Sequence, residues 1–135
     1  IIACVSPIGI FLGRITNFIN GELVGKTTNV IWSVVFPKVD MLPRHPSQLY
    51  EAILEGLILF LVLNFFIFQK KYKTGTCSYL FLIIYGLFRI IAEIFREPDI
   101  QVGYFFNYFS MGAILSFFMI IFGFFIFMVF KKNER

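Results

Sequence analysis

Four long apolar runs dominate this 135-residue chain and limit what it can fold into. They occupy residues 1–19, 47–68, 77–95 and 104–130, and about 20 apolar residues suffice for a helix to cross a bilayer. The chain is 59% hydrophobic and 15% charged, whereas soluble domains carry about 25% charged residues. We therefore predict an all-α fold, a polytopic integral membrane helical bundle with about four transmembrane helices. We expect the whole chain to form a single transmembrane domain.

A polar segment, residues 20–46, separates the first two spans. The pair Asn20-Gly21 predicts the end of the first helix, because glycine readily adopts the left-handed cap. Residues 29–36 are rich in β-branched and aromatic side chains, which predicts a short strand or an interfacial segment within this long outer loop. Trp32 suits the headgroup region of a membrane.

Basic residues in the short connections indicate the orientation of the chain. One cluster lies at residues 69–73, and the other follows the last span and comprises Lys131, Lys132 and Arg135. Two spans separate the clusters, so both lie on the same side, which we interpret as cytoplasmic. The C-terminus is then cytoplasmic, and the loops at residues 20–46 and 96–103 face outward.

Three polar blocks fall at the ends of different spans. Residues 14–22 end the first span, residues 44–55 begin the second, and residues 89–99 end the third. Because successive spans alternate in direction, all three blocks should meet at the outer face. Ionisable side chains at membrane depth are costly and usually functional, so this convergence predicts a site at the outer leaflet.

Arg14 is the candidate anion ligand at the end of the first span. It lies three residues before Asn17, so both occupy one helix face, and a guanidinium matches the geometry of a phosphate. The alternative is that Arg14 only snorkels from the helix end to the membrane surface.

The third span carries Arg89, Glu93 and Arg96 at spacings that place them on one helical stripe. In one interpretation, Glu93 neutralises one arginine and leaves the other free for an anion. In the other, the three residues form a structural ladder of ion pairs that allows the helix to insert.

The second span begins with a dense polar run. Tyr50 and Glu51 could form hydrogen bonds across the bundle, and Glu51 shares a helix face with Glu55. His45 has a side chain suited to acid–base chemistry, but it could equally cap the helix or face water. Small and polar residues of the fourth span are typical of helix packing: Asn107, Ser110, Gly112 and Ser116.

Other classes of function lack support in the sequence. Cys4, Cys77 and the lone histidine have no metal-ligand spacing, so we predict no metal site and no cofactor. The net charge of +4 is scattered, which argues against nucleic-acid binding. A membrane transporter and a structural membrane subunit with a phospholipid-headgroup site remain alternatives, although polar residues crowded at one face disfavour a continuous pathway.

Three sequence blocks resemble one family. GRITNFINGELVG (residues 13–25), RHPSQLYEAILEG (residues 44–56) and YGLFRIIAEIFREPD (residues 85–99) are similar, in this order, to motifs of the prolipoprotein diacylglyceryl transferases. The resemblance covers nearly the whole chain.

The resemblance implies an enzyme of the bacterial plasma (inner) membrane. Its partners are phosphatidylglycerol, the lipid bilayer and a prolipoprotein signal peptide, and its reaction moves a diacylglyceryl group to the thiol of the lipobox cysteine. Arg14 and Arg89 would be catalytic, since Arg14 would bind the phosphate and Arg89 would stabilise its developing charge. The resemblance implies a substrate-binding set of Arg14, Asn17, Asn20, Glu22, Gly25, Arg89, Glu93 and Arg96.

The chain departs from the family pattern in two ways. Thr16 occupies a position where the family usually has a small residue, mostly glycine. The N-terminal half of the family, including the histidine implicated as its base, has no counterpart in this sequence, and His45 is not that histidine. We therefore expect the chain to be the C-terminal portion of the enzyme and to be inactive alone.

Overall fold

The computed structural model describes residues 2–68, 75–97, 104–105 and 109–132. The chain is mostly helical, with α1 (Ile2–Asn20), α2 (Ser47–Glu51), a π-helix (Ala52–Ile58), α3 (Leu59–Phe68), α4 (Thr76–Glu93) and α5 (Met111–Lys132). Two short antiparallel pairs accompany them, β1 (Val34–Val35) with β2 (Pro43–Arg44) and β3 (Tyr104–Phe105) with β4 (Phe109–Ser110). Four helical segments of the described chain are long and apolar enough to cross a membrane. The prediction of a polytopic helical membrane protein is confirmed.

Helix α1 ends where the Asn20-Gly21 pair predicts. Gly21 has a φ of +70°, and its N–H donates to the Phe18 carbonyl at 3.1 Å. The Glu22 N–H donates to the Asn17 carbonyl at 2.9 Å. These two bonds form a Schellman cap, which satisfies carbonyls that a helix end leaves without partners.

The second span is continuous over Ser47–Phe68, but its middle is wider than an α-helix. Residues Ala52–Ile58 form a π-helix, whose i→i+5 hydrogen bonds are rare and often occur at functional sites. The hydropathy of the run predicts the span and contains no signal for this local geometry.

The fourth span begins later than the apolar run, so the prediction of a helix from residue 104 is wrong. Residues 104–105 and 109–110 pair as strands, and the helix starts at Met111. The Ser110 hydroxyl accepts a hydrogen bond from the Ala113 N–H at 3.2 Å, which is the geometry of an N-cap. Local capping therefore determines where this helix begins.

Small residues allow the helices to approach one another. A Cβ on Gly56 would lie 2.6 Å from Phe11 Cβ, so α1 packs directly on the π-helix. A Cβ on Gly86 would lie 2.9 Å from the Ser116 carbonyl, where α4 packs on α5. The most buried apolar side chains are Leu59, Leu63 and Ala92, whereas the outward face of α5 is lined with exposed phenylalanines, as expected for contact with lipid.

The long loop after α1 is fastened to the end of α4. Val34 and Val35 form the only part of the predicted 29–36 segment that is a strand among the described residues. An isolated bridge joins Gly25 to Arg96, and the Lys26 N–H donates to the Phe95 carbonyl at 2.9 Å. Predictions for residues 69–73, Pro98, Asp99 and Asn107 lie outside the described residues.

Candidate functional site: an arginine–glutamate cluster

Six charged side chains from α1, α2, the π-helix and the end of α4 meet at one end of the bundle. This is the end where α1 stops, α2 starts and α4 stops, as the alternation of spans predicts. We call them the arginine–glutamate cluster: Arg14, Glu51, Glu55, Arg89, Glu93 and Arg96.

Glu51 lies at the centre of the cluster. Its Oε2 is 2.8 Å from Arg14 Nε, and its Oε1 is 2.9 Å from Arg89 Nη1. Its side chain is only 1% exposed. One carboxylate therefore joins arginines from two different transmembrane helices.

Glu55 makes a second and looser bridge between the same two arginines. Its Oε2 is 3.4 Å from Arg14 Nη2, and its Oε1 is 3.4 Å from Arg89 Nη1. The side chain is fully buried. Glu51 and Glu55 stand one turn apart, so together they hold both guanidinium groups from one side.

Arg89 and Arg96 have further carboxylate partners. Arg89 Nη2 is 3.1 Å from Glu93 Oε2, and Arg96 Nη1 is 3.7 Å from Glu51 Oε1. The expectation that Glu93 leaves the other arginine free is therefore wrong, because Arg96 also pairs with an acid. Three arginines face three glutamates, so the cluster is close to neutral, as a buried group of charges must be.

Arg14 does not simply snorkel to the surface. It contacts Glu51 through Nε and Glu55 through Nη2. Its Nη1 forms no hydrogen bond or ion pair with a described residue. A guanidinium that is fixed by two carboxylates and keeps one N–H₂ group available can bind an external anion.

Three of the predicted substrate-binding side chains are not part of this cluster. Asn17, Asn20 and Glu22 form no side-chain hydrogen bond or ion pair with the described residues. Their main chains are used instead: the Asn20 carbonyl accepts from Lys38 Nζ at 3.2 Å, and the Glu22 carbonyl accepts from Gln48 Nε2 at 2.7 Å.

Gly25 has a packing role beside the cluster. A Cβ at this position would overlap the His45 carbonyl and lie 2.9 Å from the Phe95 carbonyl. The Gly25 carbonyl accepts from Arg44 Nη1 at 2.9 Å. The absence of a side chain lets the loop lie directly against the segment that carries Arg96.

Thr16, where the family usually has a small residue, faces away from the neighbouring helices. It is exposed, and its hydroxyl donates to the Leu12 carbonyl at 2.9 Å within α1. The extra bulk at this position is accommodated in the described structure.

His45 belongs to an aromatic group next to the cluster. Its Nδ1 is 3.2 Å from Tyr50 Oη, and the same oxygen accepts from Trp32 Nε1 at 2.7 Å. Phe95 packs edge-on against both His45 and Tyr50. A cavity of about 380 Å³ opens among these side chains, Ile53 and Leu54.

Arg44 fastens the β1–β2 hairpin through carboxylates outside the spans. Its Nε is 3.2 Å from Asp40 Oδ1, and its Nη1 pairs with Glu97. The hydrogen bonds from Arg44 hold the pKa of Asp40 below its usual value, and the Leu42 N–H at 3.1 Å adds to this effect. The Asp40 carboxylate in turn raises the pKa of Arg44.

The predicted substrate-binding set contains neither Glu51 nor Glu55, and it does not contain Gln48. The signal was present, because Gln48, Glu51 and Glu55 recur on one face of an otherwise apolar span. All three are at most 1% exposed.

Comparisons with known proteins show what the chain is similar to. The profile of the family described as prolipoprotein diacylglyceryl transferase matches residues 1–129. A Rickettsia akari (strain Hartford) protein named phosphatidylglycerol–prolipoprotein diacylglyceryl transferase is 57% identical over 125 residues, which are 91% of this chain and 48% of that relative. A Rickettsia bellii (strain OSU 85-389) protein of the same name is 53% identical over an alignment of 137 positions that covers 100% of this chain and 51% of the relative. The chain spans about half the length of the curated relatives it matches.

Proposed function

Because the chain belongs to the prolipoprotein diacylglyceryl transferase family, we propose that it binds phosphatidylglycerol for transfer of the diacylglyceryl group to a prolipoprotein. In this reaction the cysteine thiol of the lipobox forms a thioether with the diacylglyceryl carbon. The bond from that carbon to the phosphate oxygen breaks, and glycerol phosphate leaves. The proton of the thiol must pass to a base.

The observation that carries this proposal is the shared contact of Arg14 and Arg89 with Glu51, at 2.8 and 2.9 Å. Two guanidinium groups held side by side at a membrane surface match the charge and shape of a phosphodiester. Arg14 binds the phosphate through its available N–H₂ group. Arg89 stabilises the charge that develops as the phosphate leaves.

The remaining residues of the cluster orient these two arginines. Glu51 and Glu55 fix both guanidinium groups before the lipid arrives, so little reorganisation accompanies binding. Glu93 fixes Arg89 from its other side, and Arg96 contributes positive charge at the same surface. Asn17, Asn20 and Glu22 lie at the end of α1 and are available to a ligand.

We place the site at the outer leaflet of the bacterial inner membrane, with the C-terminus in the cytoplasm. The charge distribution of the loops supports this orientation. We also propose that the chain forms the C-terminal portion of the enzyme, that the base for the thiol comes from the other half, and that the chain alone has no activity.

A chimera tests this function directly. The chain replaces the matched 125 residues of the Rickettsia akari relative, and diacylglyceryl addition to a lipobox peptide is measured by mass spectrometry with phosphatidylglycerol as donor. The chimera should be active, and Arg14→Gln should abolish addition. Asn64→Leu removes an amide from α3, away from the cluster, and should leave the activity intact.

Two results would contradict the proposal. The first is a chimera that inserts into the membrane but is inactive, while the unmodified Rickettsia akari relative is active in the same assay. The second is full activity of the chimera that carries Arg14→Gln. Addition by the chain alone would overturn only the claim that the base lies in the other half.

A further inference from the structure

Gln48 has a buried hydrogen-bond acceptor, its side-chain Oε1, that receives no hydrogen bond from a described residue. Its side chain is completely buried, and its Nε2 donates to the Glu22 carbonyl at 2.7 Å. A carbonyl can only accept, so the NH₂ group must face Glu22, and Oε1 lies on the other side of the carboxamide. Within the described chain, this oxygen has no hydrogen-bond partner. An unfilled buried acceptor is unfavourable, which makes the position suitable for a donor brought by a ligand.

The position of Gln48 relative to the arginines defines where such a donor would lie. Gln48 precedes Glu51 by three residues, a rise of about 4.5 Å along the helix axis. It therefore lies nearer the membrane surface at which α2 begins. Glu51 is the carboxylate that holds Arg14 and Arg89, so Gln48 is on the surface side of the proposed phosphate site.

A phospholipid places its groups in the same order. The acyl chains lie deepest, the phosphate lies next, and the headgroup alcohol lies nearest the surface. The oxygens of a phosphodiester only accept hydrogen bonds and cannot satisfy Gln48 Oε1. A hydroxyl of a glycerol headgroup can donate to it.

We propose that Gln48 Oε1 accepts a hydrogen bond from a headgroup hydroxyl and thereby selects phospholipids with a glycerol headgroup. This inference rests on the proposed function, since it takes Arg14 and Arg89 to bind the phosphate. It assigns a specificity-determining role to a residue outside the arginine–glutamate cluster.

Lipid retention tests this role. The chain is purified in detergent and exposed to equal amounts of dioleoyl phosphatidylglycerol and dioleoyl phosphatidylpropanol, and bound lipid is counted by native mass spectrometry. The two lipids share acyl chains and phosphodiester charge but differ in headgroup hydroxyls. The wild-type chain should prefer phosphatidylglycerol about tenfold, the change expected from one hydrogen bond.

Three variants separate the role of the acceptor from general damage. Gln48→Met keeps the length of the side chain without an acceptor oxygen, and it should reduce the preference to near one while retention of phosphatidylpropanol stays within about twofold. Gln48→Glu removes the Nε2 donor to the Glu22 carbonyl and adds a negative charge beside the proposed phosphate site, so it should lower the retention of both anionic lipids. Asn64→Leu, which removes the α3 amide that donates to Phe60, should leave the preference unchanged. Helix content by circular dichroism verifies that each variant is folded.

The outcomes distinguish this inference from the proposed function. Equal retention of the two lipids by the wild-type chain, or a preference that survives Gln48→Met, would overturn the role of Gln48 and leave the phosphate site standing. Retention of neither anionic lipid above the level of an Arg14→Gln variant would overturn both.

Discussion

Arg14 and Arg89 lie on different transmembrane helices and contact opposite oxygens of one carboxylate, that of Glu51, at 2.8 and 2.9 Å. This contact holds α1, α2 and α4 together at the surface where the proposed lipid phosphate binds. The same residues therefore serve stability and the proposed function, and the two roles can be tested separately.

Glu51→Gln should strongly destabilise the bundle. The substitution keeps the shape of the side chain but removes the charge that both arginines face, and breaking a buried ion pair costs about 3–5 kcal/mol. Unfolding of the purified chain in mixed micelles measures the change. Glu22→Gln is the matched control, because Glu22 is exposed and should change stability by about 0.5 kcal/mol or less. Equal stability of the two variants would contradict the central position of Glu51.

Substitution by alanine should lower the stability of the bundle at Gly56 but not at Gly13. A Cβ at Gly56 would lie 2.8 Å from the backbone of Phe11, so Gly56→Ala forces α1 and the π-helix apart at a cost of about 1–3 kcal/mol. Gly13 is also in a helix but has open space around its Cβ position, and Gly13→Ala should be neutral or stabilising by up to about 1 kcal/mol. Thermal unfolding in detergent compares the two. The same loss at both positions would refute the packing of α1 on the π-helix.

The β1–β2 hairpin should loosen in acid. The pKa of Asp40 is lower in the folded chain than the unfolded value of about 3.9, because Arg44 donates to it. Its stabilising effect is therefore complete above about pH 4 and is lost as the pH falls through the lower folded value. Arg44 also pairs with Glu97. An NMR titration of the Arg44 Nε–H resonance follows the transition.

Asp40→Asn supplies the control for this titration. The variant should lack the Asp40-dependent change of the Arg44 Nε–H resonance. A midpoint above 3.9 in the wild-type chain, or an unchanged titration in the variant, would show that Arg44 does not lower the pKa of Asp40.

The sequence predicts the spans and their common polar surface, because composition alone defines each apolar run and alternation brings the three polar blocks together. It does not predict that Glu51 pairs with both Arg14 and Arg89, since that depends on how the helices rotate against one another. The π-helix and the start of α5 at Met111 follow from local hydrogen bonding, which hydropathy does not report. The sequence places Gln48 on the face of Glu51 and Glu55, but only the structure shows that its Nε2 bonds the Glu22 carbonyl and that its Oε1 has no partner among the described residues.

The most direct measurement is the distance from the lipid phosphorus to the arginine guanidinium carbons. Solid-state NMR dephasing between ³¹P of phosphatidylglycerol and ¹³Cζ of labelled arginine measures it in membranes. The account predicts a separation of about 4 Å, as N–H···O bonds of about 2.8 Å impose. The dephasing should be weaker in Arg14→Gln and in Arg89→Gln. It should be unchanged in Arg44→Gln, which alters a buried arginine outside the cluster. Dephasing that is absent in the wild-type chain, or that survives loss of both Arg14 and Arg89, would contradict the account.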